Sequence, residues 1–211
     1  MRTICVSCLL VCVFTISAGS SYAELLNLTV EHYPRVYSTF VQVDYDPAGA
    51  GANGLLEASG WTWDLYEDET SMSWPIYSGE FLLSVEIDKA TGQGVSGSLD
   101  VTGDPYGPLE TLFYSTTLTA FGYGGDDLFE CLFTQEGSGL PPVGEPIGII
   151  MNAVSIDDLI FSEGVEPGWD VAFSNGGDGY SNAFYLPEPS SMALLGLAGL
   201  GLISRRRIRR R

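Results

Sequence analysis

Phe81-Leu82-Leu83-Ser84-Val85-Glu86-Ile87-Asp88 puts Phe81, Leu83, Val85 and Ile87 on one side and Leu82, Ser84, Glu86 and Asp88 on the other. A period of two with one apolar face is the signature of a half-buried β-strand. The same alternation recurs on both sides of this stretch. Residues 36–44 set Tyr37, Thr39, Val41 and Val43 along one face, and Leu99 and Val101 alternate with Ser98, Asp100 and Thr102. Segments 109–121 and 127–134 are rich in Thr, Tyr, Phe and Leu, which fit a pleated surface, and Ile147–Met151 and Trp169–Ser174 add two further strands. Gly92, Gly94 and Gly97, the cluster Asp104-Pro105-Tyr106-Gly107-Pro108, and Gly122–Asp126 punctuate these runs as turns. Gly137–Pro146 reads as a long surface loop. No stretch of the body has helical spacing. About nine short strands between turn signals predict an all-β fold, a single antiparallel β-sandwich or jelly roll over residues 24–186.

Charge narrows the function classes. The chain has 211 residues and a formal charge of −18, and its basic residues cluster at the two ends. Between Glu24 and Leu186 only Arg35 and Lys89 stand against 26 acidic residues, a formal charge of −24. Such a body repels phosphate backbones, which excludes nucleic acid as a partner. Its 45% apolar and 12% aromatic content is enough for a packed core, so disorder is excluded as well.

The two ends read as addresses. Arg2, an apolar stretch from Ile4 to Ile16, and Ser21-Tyr22-Ala23 form a signal peptide over residues 1–23, with cleavage expected between Ala23 and Glu24 and export through the Sec machinery. At the other end, Leu186 precedes Pro187-Glu188-Pro189, then an apolar run from Met192 to Ile203, then Arg205, Arg206, Arg207, Arg209, Arg210 and Arg211. As a helix, Met192–Ile203 rises about 18 Å, short of a ~30 Å hydrocarbon core, and makes a marginal transmembrane helix. The arginines hold its C-terminal end in the cytoplasm and leave the acidic body outside.

Pro187-Glu188-Pro189, the short apolar helix and the arginine cluster together resemble the PEP-CTERM sorting signal of Gram-negative bacteria, also described under an ice-binding-protein C-terminal name. The resemblance covers residues 187–211 and is silent on the body. It implies that an exosortase, a membrane-embedded transpeptidase-like enzyme, recognises Pro187, Glu188 and Pro189 and removes the tail, with the arginine cluster as retention signal. Proteins so sorted go to the cell surface or extracellular matrix, often where exopolysaccharide is made.

Candidate chemistry in the body is sparse. Cys5, Cys8 and Cys12 lie in the signal peptide, leaving Cys131, which shares a strand face with Phe129 and Phe133 and is expected in the core. His32 is the single histidine and reads as a surface residue. Gly94-Val95-Ser96-Gly97-Ser98 fails the nucleophile-elbow pattern at its last position, and zinc-ligand pairs and a phosphate loop are absent from the mature chain. The expectation is a protein that is not an enzyme. Hard cations take clustered oxygens on turns. Asp44 and Asp46 near Asn53, Asp126 with Asp127, Asp157 with Asp158, and Asn175-Gly176-Gly177-Asp178-Gly179 are the candidate Ca2+ positions. None completes a calcium loop, and acidic turns that keep a secreted surface hydrated account for the same residues. No metal ligand set and no cofactor is assigned.

Trp61, Trp63 and Tyr66, with Trp74 and Tyr77, surround Glu67-Asp68-Glu69. Aromatic faces beside carboxylates suit sugar rings and their hydroxyls. Trp61 and Trp63 share a strand face, and a plug in the core is the competing reading. The function expected is a structural or adhesive component of the cell surface or matrix, with a carbohydrate-binding module for extracellular polysaccharide as the alternative.

Overall fold

The computed structural model describes residues 25–186 apart from 71, 106–109, 116, 125–126 and 154–167. Its strands are β1 Arg35–Ala50, β2 Asn53–Tyr66, β3 Trp74–Ile87, β4 Gly94–Gly103, β5 Glu110–Ser115, β6 Thr117–Gly124, β7 Leu128–Thr134, β8 Pro146–Asn152, β9 Phe173–Ser174 and β10 Gly179–Tyr185. No helix occurs among the described residues. The strands join in one sheet in the order β5-β4-β3-β2-β1-β10-β8-β7-β6, with the short β9 beside β1, and every ladder is antiparallel.

The all-β antiparallel expectation therefore holds, and the two-sheet sandwich or jelly roll gives way to a single sheet. The reason is in the connections. Strands that follow one another in the chain are hydrogen-bonded neighbours through β1 to β5 and again through β6 to β8, so no Greek-key crossover carries the chain to a second sheet. Tight turns make this possible. Gly51 takes the left-handed φ of 68° between β1 and β2. Between β3 and β4, the Asp88 carboxylate accepts the amides of Ala90 and Thr91.

The two edge strands, β5 and β6, are separated in the chain by residue 116 alone. The chain thus steps from one edge of the sheet to the other, and the sheet curls to let it. Gly94 of β4 lies so close to Leu118 of β6 that a Cβ there would press on its side chain, and Gly97 is in contact with the same leucine. The concave side encloses one core, in which Phe81, Phe113, Phe129 and Phe133 are fully buried. Tyr45, Phe121, Tyr123, Phe129, Trp169 and Phe173 form a chain of ring contacts with centroids 5.0–6.3 Å apart. The Tyr45 hydroxyl donates to the Trp169 carbonyl at 2.7 Å, and burial, then the charges of Asp170 and Asp46, push its pKa up to about 12.

Cys131 is buried in this core as expected. Burial first, and Glu130 second, raise its thiol far above the ordinary range, which keeps it protonated and unreactive. Before β1, the segment from Leu25 crosses the outside of β6 and β7. Leu25 packs on Gly124, and the Leu28 amide donates to Glu130 Oε1 at 3.1 Å. Of the expected strand at Trp169–Ser174 only Phe173–Ser174 forms. The signal peptide and its Ala23/Glu24 junction, the Pro187–Pro189 motif, the C-terminal helix and the arginine cluster lie outside the described residues.

Three hydroxyls form an unusual row on the inner face. Ser38 of β1 pairs with Ser181 of β10 on one side and Thr62 of β2 on the other. All three side chains are buried, and none of their oxygens has a hydrogen-bond partner among the described residues.

Candidate functional site

Around Trp61, β2 turns small residues inward and its tryptophans outward. Leu56, Ala58, Thr62 and Leu65 are buried, whereas Trp61 is 63% exposed and Trp63 is 52% exposed. The core-plug reading of these tryptophans is thus overturned: they stand on the outside of the sheet, in a period-two series with Glu57 and Ser59. Trp61 lies between Thr39 of β1 and Glu80 of β3.

Both neighbouring strands are irregular beside it. Phe40 interrupts the β1 ladders with a left-handed φ of 52°, and Ser78 in β3 has a φ of 53°. Such angles are unfavourable for residues with a Cβ and occur where a bulge re-aims a side chain. The Phe40 bulge turns its ring out to 61% exposure, edge-on to Trp61 with centroids 5.8 Å apart. Trp74 and Tyr77 are exposed on β3, with Trp74 Nε1 donating to Glu67 Oε2 at 3.3 Å. Tyr66 is placed differently from the two tryptophans. It is half-buried, and the Arg35 guanidinium covers its ring at 4.4 Å, a cation–π contact that occupies one face.

From Trp61 the outer surface dips into two adjoining depressions that share Ser59 and Leu82. The larger encloses about 550 Å3, within the range of small-molecule sites. The floor of the two together is a row in register across five strands: Gln42, Ser59, Leu82, Asp100 and Tyr114, from β1 to β5. Alongside runs a second row of Asp44, Glu57, Ser84 and Ser98. Burial first, and the charge of Glu80 second, raise the Asp100 carboxyl above its ordinary value. Sequence reasoning missed this row, because register is not written in any one strand. The parity of Glu57 and Ser59 with Trp61 was the available signal that the tryptophans face water.

The calcium candidates are scattered. Asp44 and Asp46 lie on β1, where Asp44 Oδ2 accepts from Gln42 Nε2 at 2.8 Å. Asp46 Oδ1 accepts from the Ala48 amide, also at 2.8 Å, and Asn53 pairs with Ala50 at the hairpin end. Asn175 is committed to the fold. Its Oδ1 accepts the Val43 amide at 2.8 Å and its Nδ2 donates to the Val41 carbonyl at 2.9 Å, so the glycine-rich stretch is a turn stapled to β1. Asp126, Asp157 and Asp158 lie outside the described residues. Among the described residues no group of three or more His, Cys, Asp or Glu side chains is placed to hold a metal. His32 is half-buried ahead of β1.

β10 ends against the rest of the sheet. The Tyr185 amide donates to the Pro34 carbonyl and the Leu186 amide to that of Pro146, so the folded body reaches to the residue before Pro187. No curated protein and no solved structure matches the chain. Residues 186–210 match the family model of the PEP-CTERM protein-sorting motif, over the segment whose Pro-Glu-Pro, apolar run and arginines resembled it. The C-terminal segment therefore carries a PEP-CTERM sorting signal, which supports an exported protein processed by an exosortase and destined for the cell surface or beyond.

Proposed function

We propose that the body is a non-catalytic adhesive domain that holds extracellular polysaccharide on the outer face of β1–β5, and that the sorting signal delivers it to the matrix where that polysaccharide lies. The observation that carries this reading is the exposure of Trp61 and Phe40 at the mouth of a groove floored by hydroxyls and carboxylates. Exposed tryptophan is costly in water and is usually retained where a partner covers it. A flat ring, edge hydroxyls and carboxylate acceptors together match the apolar face and polar rim of a pyranose. Tyr66 serves as support, holding Arg35 beneath the start of β1. In this reading the tail sits briefly in the inner membrane with Arg205–Arg211 in the cytoplasm, until the exosortase cuts near Pro187–Pro189.

Retention of the secreted protein on the host's own surface polysaccharide tests the reading. Trp61→Ala and Trp63→Ala, both on the solvent side of β2, are expected to abolish retention while leaving the thermal unfolding curve in place. A wild-type protein that is not retained refutes it. Intact mass of the protein from its native host tests delivery: loss of residues 1–23 and of the arginine cluster is expected, and a mass retaining Arg205–Arg211 would refute removal of the tail.

A further inference from the structure

The groove has a sign. Four carboxylates border it: Asp44 and Glu57 in one row, Asp100 in the next, and Glu80 across the ladder from Trp61. Of the two basic residues in the body, neither answers them. Arg35 lies over Tyr66, and Lys89 Nζ donates to the Pro47 carbonyl at 3.0 Å. Asp100 is the sharpest case. Its Oδ1 is buried and has no hydrogen-bond partner among the described residues. Unpartnered buried acceptors are uncommon and costly, and here a second carboxylate acts on the first.

A polymer of uronic or sulfated sugars would add like charge to the groove. Neutral sugars would stack on Trp61 and leave the acidic pair uncompensated. A ligand carrying ammonium groups would answer the uncompensated negative charge of the accessible carboxylates with charge-assisted donors. Resting on the glycan-binding reading above, we infer that the groove selects a linear polysaccharide of amine-bearing hexoses, one ring stacked on Trp61 and an ammonium group received between Glu80 and Asp100. Five strands at a spacing of about 4.8 Å make the Gln42-to-Tyr114 row roughly 19 Å across, long enough for several consecutive rings.

Tryptophan fluorescence titrations of the secreted protein test this with four oligosaccharides of equal length. They are a glucosamine oligomer, its fully N-acetylated counterpart, a glucose oligomer of the same linkage, and a uronate oligomer. The glucosamine oligomer is expected to bind about tenfold more tightly than the acetylated and neutral ones, with an advantage that shrinks as salt rises. The uronate oligomer is expected not to bind. Asp100→Asn is expected to bring the ratio of amine to neutral affinity close to one, whereas Glu31→Gln, exposed and ahead of β1, leaves it at about ten.

Equal affinity for the amine and neutral oligomers, or a ratio unmoved by Asp100→Asn, overturns the inference and leaves glycan binding standing. Full competition by a lysine oligomer of matched charge also overturns it, by reducing the effect to attraction between a polycation and an acidic body. Binding of no oligosaccharide overturns this inference and the glycan-binding reading together.

Discussion

Replacing Thr62 by Val should make the protein more stable, against the usual direction of a core substitution. Thr62, Ser38 and Ser181 point into the curled sheet from three neighbouring strands, each hydroxyl buried and without a partner among the described residues. Burying an unpaired hydroxyl costs roughly 1–3 kcal/mol on the scale of protein substitutions. Val has the shape of Thr and no hydroxyl, so Thr62→Val removes that cost without opening a cavity. The expected gain is about 1–2 kcal/mol. Ser38→Ala deletes an oxygen and leaves a small void, and about 0.5 kcal/mol of gain is expected there. Equilibrium urea unfolding at pH 7 reads both, since 1–2 kcal/mol moves the midpoint by about 0.5–1 M at the slopes usual for domains of this size. The double variant reports whether the two hydroxyls act independently. A midpoint that falls by 0.5 M or more in Thr62→Val would refute the reasoning: the hydroxyls would then be hydrogen-bonded in solution, and the row a supporting polar network.

Three further outcomes follow from the packing. A Cβ on Gly54 would run into the Tyr45 ring. Gly54→Ala should therefore cost about 2–3 kcal/mol and weaken the near-ultraviolet circular dichroism of the ring chain around Trp169. Asn175→Ala should cost about 3 kcal/mol by stranding the Val43 amide and the Val41 carbonyl, and hydrogen exchange at Val43 should accelerate with it. On the alkaline side, both buried acids have folded pKa values above their unfolded ones, Tyr45 at about 12 and Cys131 higher. Their contribution is fully present below the unfolded values and is lost as pH rises towards the folded ones. The melting temperature should hold to about pH 8 and fall steeply from pH 9 to pH 12, and Cys131→Ser should blunt the start of that fall; a flat profile would contradict the burial of both groups.

Alternation carried the fold class. Phe81, Leu83, Val85 and Ile87 are buried together, and the face shared by Phe129, Cys131 and Phe133 is the core face. Alternation says which residues share a side and not which side is dry, and this is where Trp61 and Trp63 misled. On β2 the dry side beside the tryptophans is Ala58, Gly60 and Thr62, smaller than the wet one, because Gly60 must let Val41 approach. β10 was illegible for a related reason: its inward series, Ser181 and Ala183 behind Gly179, has little apolar mass to set a period. The groove was beyond reach of any single strand, since Asp100 meets Leu82 and Tyr114 only through the registers of three. The sorting signal was legible in full, because an enzyme reads it as linear sequence.

β10 lies between β1 and β8, yet it is the last strand of the body to be synthesised, and Leu186 hands the chain on to Pro187 directly. Until Tyr185 exists, β1 and β8 each present a bare edge, and the curl has no seam to close. Pairing the first long strand with the last is as non-local as a contact can be, and such topologies fold slowly. A chain in that position stays threadable for as long as its tail is still arriving. The strand that joins the body to its sorting signal therefore also times the fold, since the curl closes only after the residues that lead into that signal are present.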